Sequence, residues 1–164
     1  MTSLGVGAGG DVDIAADDTV TIGGTITANG ADQSNGFGGA GNFFLNQGGS
    51  VTISTVGLDN SANPTSGDLT ASGTITATGG NLGLGGNVTM SIDTNGSANT
   101  ATLTHSGQIT VDSGDNTYVD PTGQALNAPT SGHGITFNAQ GGDQDDLIVL
   151  GGTLSANGCY NAGG

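Results

Sequence analysis

The sequence predicts an all-β protein built as a parallel β-solenoid (β-helix) with irregular loop insertions. Three features of the 164 residues predict it: runs that alternate apolar and small polar residues, glycine pairs that bound these runs, and two phrases that recur along the chain. A period of two marks a strand with one buried face. Repetition of like strands indicates coils that stack on one another. The alternative is a β-sandwich or jelly-roll fibre subunit, in which the repeated phrases would belong to similar hairpins.

The first phrase has the form Gly-Gly-x-Val-Thr-Ile, and its four copies begin at Gly9, Gly48, Gly85 and, more loosely, Gly132. The second has the form Gly-Thr-Ile-Thr-Ala-x-Gly, and its four copies begin at Gly24, Gly73, Gly107 and Gly152. The two phrases alternate without exception. One full period therefore contains one copy of each, and we predict two strand elements in every period.

The strongest internal match joins the two ends of the chain, where residues 17–30 match residues 145–158 at an offset of 128 positions. Two intermediate copies lie between them, so the period averages about 43 residues. The length fits one domain or one segment of a longer array. We predict a single β-rich domain of four degenerate repeats: 1–47, 48–84, 85–130 and 131–164.

Alternation within the phrases also predicts which side chains are buried. The leading apolar residue of each phrase is expected to face the core, and these residues are Val12, Ile26, Val51, Ile75, Val88, Ile109, Ile135 and Leu154. The threonines that precede three of them, Thr25, Thr74 and Thr153, are expected to face solvent.

The charge balance excludes several classes of function. The chain has 14 acidic residues and no Lys or Arg, which gives a net charge of −14. Nucleic-acid binding and attraction to anionic lipid both require basic side chains, and no apolar run is long enough to span a membrane. Without basic partners, the carboxylates must be solvated, hydrogen-bonded or bound to metal. The absence of cleavage sites for trypsin-like proteases suits an extracellular location.

Segment 141–149 is similar to the calcium-binding nonapeptide Gly-Gly-x-Gly-x-Asp-x-apolar-x, with Gln144 where that pattern has Gly. Calcium takes six to eight oxygen ligands, so one such loop cannot complete the coordination shell. We predict a set of acidic residues that line cation sites or subunit contacts, with calcium as the candidate cofactor: Asp143, Asp145, Asp146, Asp17 and Asp18. A solvated acidic turn is the alternative.

Paired carboxylates such as Asp11 and Asp13 also serve in glycoside hydrolysis. A cleft that holds sugar needs aromatic or basic residues, however, and the chain has no Trp, Lys or Arg. We therefore predict that the protein is not an enzyme and has no catalytic residue. His105 and His133 have no Cys or Glu at ligand spacing and are expected on the solvent face. The single cysteine, Cys159, cannot form a disulfide within the chain.

The phrases at 24–30 and 48–53 resemble those in the repeat regions of large secreted bacterial surface proteins, including filamentous-haemagglutinin-like and autotransporter-passenger adhesins. The resemblance covers most of the chain. It implies a right-handed parallel β-helix in an exported fibre or adhesin. The irregular spacing of the phrases departs from the tighter coils of that family.

From these observations we expect an extracellular or cell-surface structural or adhesive protein that forms or decorates a fibre. The alternatives are a carbohydrate-binding or polysaccharide-cleaving β-helix module and a calcium-dependent matrix or surface-layer component. Self-association is expected because an open solenoid leaves an unpaired strand at each end. Lys or Pro usually protects such edges, whereas this chain has no Lys and its three prolines, Pro64, Pro121 and Pro129, lie in predicted loops.

Overall fold

A computed structural model describes residues 7–31, 46–56, 67–80, 83–93, 100–114, 133–140 and 146–158. Within these ranges the chain forms twelve strands and no helix. The strands are β1 (Val12–Ala16), β2 (Val20–Ile22), β3 (Thr25–Thr27), β4 (Val51–Val56), β5 (Leu69–Ala71), β6 (Thr74–Thr76), β7 (Asn87–Asp93), β8 (Thr102–His105), β9 (Gln108–Thr110), β10 (Gly134–Gln140), β11 (Leu147–Leu150) and β12 (Thr153–Ser155).

The strands form three four-stranded sheets: sheet 1 in the order β1-β4-β7-β10, sheet 2 in the order β2-β5-β8-β11, and sheet 3 in the order β3-β6-β9-β12. Each set of three consecutive strands contributes one strand to each sheet. We call these sets coil 1 (β1–β3), coil 2 (β4–β6), coil 3 (β7–β9) and coil 4 (β10–β12). Every strand pairing is parallel. The predicted all-β parallel solenoid is therefore confirmed, and the sandwich alternative is wrong because its hairpins require antiparallel pairs.

The two predicted phrases form sheets 1 and 3. The leading residues of the first phrase lie in one column across sheet 1, in the order Val12, Val51, Val88 and Ile135. The leading residues of the second phrase lie in a column across sheet 3, in the order Ile26, Ile75, Ile109 and Leu154. Like residues therefore stack on like residues, as the repetition predicted.

Sheet 2 has no counterpart in the two phrases, so the prediction of two strand elements per period is wrong. Its inward column runs Val20, Leu69, Leu103, Ile148. Val20 and Ile148 are 128 positions apart, which is the offset of the strongest internal match. The strands of this sheet are three or four residues long, and in register they share one inward apolar position and, in three of the four coils, the threonine that follows it: Thr21, Thr70 and Thr104.

The core lies between the three sheets and is densest in the two middle coils. Val51, Val88 and Ile109 are fully buried and Ile75 nearly so. In coil 1, Val12 and Ile26 are half-buried. Leu154 in coil 4 is 44% exposed, so its predicted burial is wrong: no described strand covers the far side of that coil. Thr25 and Thr153 are exposed as predicted, and Thr74 is half-buried.

The corner between sheets 2 and 3 has two residues in every coil, and the second is always glycine: Gly24, Gly73, Gly107 and Gly152. A Cβ atom on Gly107 would lie 1.9 Å from the carbonyl oxygen of Gly73 in the coil before, so only glycine fits there. The other two corners differ in length from coil to coil. Every gap between the described ranges falls at one of them, and successive coils accordingly lie between 34 residues (Leu69 to Leu103) and 49 residues (Val20 to Leu69) apart.

Candidate functional site

Carboxylate and amide side chains at the corners accept hydrogen bonds from the backbone of the next coil. Asp11 Oδ1 in coil 1 accepts from the backbone N–H of Ser50 in coil 2 at 2.8 Å. At the same corner, between sheets 3 and 1, Asn29 Oδ1 accepts from the N–H of Thr78 at 3.0 Å. Corner N–H groups need such partners because the ladder of the sheets ends there. Some of the carboxylates thus find backbone donors in place of the basic side chains that the chain lacks.

Two aspartates hold the entry to β8 from opposite sides. Asp68 Oδ1 in coil 2 accepts from the N–H of Thr102 at 2.8 Å, and Asp146 Oδ1 in coil 4 accepts from the N–H of Ala101 at 2.9 Å. Consecutive backbone donors of coil 3 are therefore bound by carboxylates of its two neighbours. This arrangement links three coils at the corner between sheets 1 and 2.

The densest polar cluster joins coils 3 and 4 at the corner that follows sheet 3. Asp112 Oδ1 accepts from Ser155 Oγ and from the backbone N–H of Asn157, both at 2.7 Å. The second carboxylate oxygen, Oδ2, lies 3.0 Å from Ser155 Oγ and 3.4 Å from Asn157 Nδ2. His133 stands beside the cluster, with Nε2 3.2 Å from the carbonyl oxygen of Ala156.

These contacts change the acidity of Asp112. Partial burial, the largest single influence, raises its pKa. The hydrogen bonds from the N–H of Asn157, from Ser155 and from the Asn157 side chain, together with the field of His133, act in the opposite direction. In sum they hold the pKa of Asp112 below the ordinary value of an aspartate. The ionised form of Asp112 is therefore the one that joins coils 3 and 4.

Of the residues predicted to bind a cation, the three that the structure describes, Asp17, Asp18 and Asp146, lie in two different coils. Asp143 and Asp145 lie outside the described residues. Asp17 and Asp18 precede β2 in coil 1, and Asp18 Oδ1 accepts from the N–H of its neighbour Thr19 at 2.7 Å. Asp146 precedes β11 in coil 4, three strand spacings from coil 1, or about 14 Å at about 4.8 Å per strand.

Asp146 is nevertheless distinctive, because its second oxygen, Oδ2, is buried and has no hydrogen-bond partner in the described part of the chain. Among the described residues, no group of three or more His, Cys, Asp or Glu side chains is arranged to hold a metal ion. The calcium site thus stays a prediction.

His105 lies in the core, so its predicted place on the solvent face is wrong. The side chain is 1% exposed and follows the buried Leu103 at the next inward position of β8. Its Nδ1 lies 2.9 Å from the carbonyl oxygen of Gly151, its ring packs against Phe137 with centroids 5.8 Å apart, and its Nε2 has no hydrogen-bond partner among the described residues. If residues 102–105 are taken as a strand, the alternation in Thr-Leu-Thr-His predicts that His105 faces inward together with Leu103.

Coil 4 differs from the other coils in its exposed apolar surface. The large hydrophobic side chains that are exposed in the described residues all belong to it: Leu147, Val149, Leu150 and Leu154. Leu147 and Val149 point outward, opposite Thr102 and Thr104 in the register of sheet 2. Leu150 and Leu154 occupy inward columns at the open side of the coil. In the described part of the chain, coils 1 to 3 expose no large hydrophobic side chain of this kind.

No known protein family, curated protein or solved structure matches this chain. In the described ranges, no helix has the length and apolar character needed to cross a membrane.

Proposed function

We propose that this chain is a structural or adhesive segment of an extracellular protein that forms or decorates a surface fibre. The observation that carries the proposal is the stack of four like coils, whose outermost strands, β1 to β3 and β10 to β12, have no further strand partner in the described part of the chain. A stack that repeats the same columns extends along one axis by adding coils, which is the geometry that an elongated scaffold requires.

The positions of the described carboxylates favour a scaffold over an enzyme. Asp11, Asp68, Asp112 and Asp146 each accept a backbone N–H from a neighbouring coil, so they hold coils together. Carboxylates that act on a substrate need a cleft in which substrate replaces such partners. The lack of Lys and Arg supports life outside the cell, because trypsin-like proteases have no site to cut.

Immunogold electron microscopy of intact source cells tests the proposal, with an antibody raised against the 164-residue chain. We expect label along surface fibres, and loss of the label when intact cells are treated with proteinase K. Trypsin is the matched control, because it has no site in this chain and should leave the chain itself uncut. Label confined to the cell interior would overturn the proposal. A parallel sample in chelator tests the calcium-dependent matrix alternative, which requires the fibres to dissolve.

A further inference from the structure

We propose that the outward face of sheet 3 binds the surface of ice crystals. The proposal goes beyond the proposed function and does not depend on it, because it concerns one face of the solenoid rather than the fibre. Three observations carry it. The outward side chains of sheet 3 are almost all hydroxyl-bearing, they stand on a regular two-dimensional grid, and none of them is charged.

Each strand of sheet 3 points two side chains outward, one on either side of a single inward residue. The register of the sheet arranges these side chains in two columns, which together we call the hydroxyl face. The first column contains Thr25, Thr74, Gln108 and Thr153, and the second contains Thr27, Thr76, Thr110 and Ser155. Seven of these eight side chains carry a hydroxyl group.

Threonine is a common outward residue of β-strands, so the other two sheets provide the comparison. The outward positions of sheet 1 include the carboxylates of Asp13 and Asp93. Those of sheet 2 include the apolar side chains of Leu147 and Val149. The hydroxyl face carries neither kind of side chain, although the chain has 14 acidic residues. In the described residues, sheet 3 is thus the one sheet whose outward surface consists of neutral hydrogen-bonding groups.

The side chains of the hydroxyl face repeat in two perpendicular directions. Adjacent strands lie about 4.8 Å apart, and outward side chains on one parallel strand recur every two residues, or about 6.6 Å. The oxygen atoms on the prism faces of ice also form a rectangular grid, and its two repeat distances are close to these. One hydroxyl placed on an oxygen position of the crystal therefore brings its neighbours close to further oxygen positions. Many weak hydrogen bonds then act together, and their combined avidity exceeds the affinity of any one bond.

The threonine side chains of the face are stiff, and their hydroxyl groups are available. Two substituents on Cβ restrict the χ1 rotamers of threonine, and the parallel ladder fixes the backbone beneath. Four hydroxyls have no hydrogen-bond partner in the described part of the chain: those of Thr25, Thr27, Thr74 and Thr76. By contrast, Ser155 Oγ donates to Asp112 at 2.7 Å, and Gln108 Nε2 donates to Thr110 Oγ1 at 3.3 Å. The array in coils 1 and 2 is therefore the part of the face best prepared for ice, since an ordered surface loses little entropy on binding.

The hydroxyl face is also accessible along the edge where its strands begin. An ice crystal is a large flat ligand, so side chains and loops beside the face must not rise above it. The corner that leads into sheet 3 has only two residues in every coil, which leaves no room for a loop. The first of the two is always small: Gly23, Ser72, Ser106 and Gly151. The face is therefore unobstructed on this side.

The composition of the face argues against two other extended ligands. The surface of an ionic mineral is made of charges, which neutral hydroxyls do not complement. A crystalline polysaccharide needs aromatic side chains to hold its sugar rings, and the hydroxyl face contains none. The face instead offers neutral hydroxyl groups at fixed positions. Crystalline water is the ligand that matches such groups over a regular area.

Ice growth in the presence of the purified 164-residue chain tests the proposal directly. In an ice recrystallisation assay, we expect smaller grains than with an inert protein of similar mass. In nanolitre osmometry, we expect a gap between the melting and the freezing temperature. A fluorescent label on Cys159, the single cysteine, shows where the chain binds a single ice crystal. We expect the fluorescence on the prism faces, because their repeat distances match those of the hydroxyl face.

A matched pair of tyrosine substitutions assigns the activity to the face. Thr76→Tyr puts a bulky ring in the second column and holds ice away from the neighbouring threonines. Thr52→Tyr is the control, because Thr52 belongs to the same coil and is also outward and half-buried, but lies in sheet 1. Tyrosine favours strands, so both variants should keep the wild-type circular dichroism spectrum. Thr27→Tyr repeats the test at an exposed position of the same column, should Thr76→Tyr fail to fold.

We expect each substitution in the hydroxyl face to raise the concentration that inhibits recrystallisation by about tenfold or more, because it breaks the avidity of the array. Thr52→Tyr should leave this concentration unchanged. Three results would overturn ice binding: a wild-type chain that affects ice growth no more than the inert protein does, equal inhibition by the control and the face variants, or fluorescence that covers all planes of the crystal equally.

The two proposals fail separately. None of these three results moves the immunogold label off the cell surface, so the proposed function would survive them. Conversely, ice binding by the purified chain together with label inside the cell would overturn the proposed function alone.

Discussion

The carboxylate of Asp112 accepts a hydrogen bond at 2.7 Å from the backbone N–H of Asn157, 45 residues further along the chain and one coil away. Asn29 makes the equivalent contact with Thr78 at 3.0 Å, at the same corner between coils 1 and 2. Side chains that carry an acceptor oxygen at this corner thus bind the N–H of the following coil. The acidic composition of the chain contributes in this way to the fold itself.

The first prediction concerns acid. Because the folded pKa of Asp112 lies below its unfolded value of about 3.9, its contribution to stability is complete above that pH and is lost as pH falls through the folded pKa. We expect Asp112→Ala to lower the free energy of unfolding by about 1 kcal/mol at pH 7, which is less than the about 1.5–3 kcal/mol usual for a hydrogen bond to a charged group because the site is open to water. Urea titrations at pH 7 and pH 3 measure the difference. A cost at pH 3 equal to that at pH 7 would contradict this assignment.

The second prediction compares two isoleucines in one column. Ile75 is 1% exposed in coil 2, whereas Ile26 is half-buried in coil 1. We expect Ile75→Ala to cost about 2–5 kcal/mol because a cavity remains among packed neighbours. Ile26→Ala should cost clearly less, since water can reach its site. Chemical denaturation of both variants tests the gradient of burial along the solenoid, and equal losses would argue that coil 1 is covered in solution.

The sequence predicted the parts of the solenoid that repeat a phrase and missed the part that does not. Val51-Thr52-Ile53 and Thr74-Ile75-Thr76 alternate clearly, so sheets 1 and 3 were predictable. In sheet 2 the second inward column changes from Ile22 to Ala71 to His105 to Leu150, so no apolar pattern repeats there from coil to coil. The partners of the carboxylates were unpredictable for another reason. Each partner lies a full coil away, and the coil length depends on the insertions at two corners.

The third prediction concerns the glycine corner. A Cβ on Gly107 would lie 1.9 Å from the carbonyl oxygen of Gly73 and 2.7 Å from the carbonyl carbon of Ser72, and a backbone contact of this kind cannot be relieved by a rotamer change. We expect Gly107→Ala to destabilise the fold by about 3 kcal/mol or more, at or above the usual cost of overpacking. Gly23→Ala is the control, because its Cβ would meet nothing within 4 Å. Thermal melts that show equal stability for the two variants would contradict the close stacking of this corner.

The fourth prediction concerns the buried histidine. A buried acceptor without a partner costs about 1–3 kcal/mol, and His105 Nε2 is such an atom among the described residues. His105→Leu removes that cost and keeps most of the packing against Phe137, although it loses the hydrogen bond to the carbonyl oxygen of Gly151. We expect its free energy of unfolding to lie within about 1 kcal/mol of the wild type. His105→Ala, which leaves a cavity, should cost about 2–4 kcal/mol. A large loss for both variants would show that the ring has a polar partner.

The last prediction concerns ions at the acidic turns. Two like charges 4 Å apart repel by about 1 kcal/mol in bulk water, and by more where solvent is excluded. A calcium ion removes this repulsion and suits carboxylate oxygens, so we expect it to raise the melting temperature or to promote assembly through Asp143, Asp145 and Asp146, with Asp17 and Asp18 as further ligands. Asp146→Asn should abolish the calcium response because its Oδ2 lacks a partner in the described residues. Asp68→Asn is the matched control, since Asp68 makes the same kind of backbone contact and belongs to no predicted cation site. Thermal melts in calcium, in chelator and at pH 4 separate the alternatives. If acid promotes assembly and calcium does not, protonation neutralises the carboxylates. If neither changes the melting temperature or the assembly, the acidic turns are solvated surface.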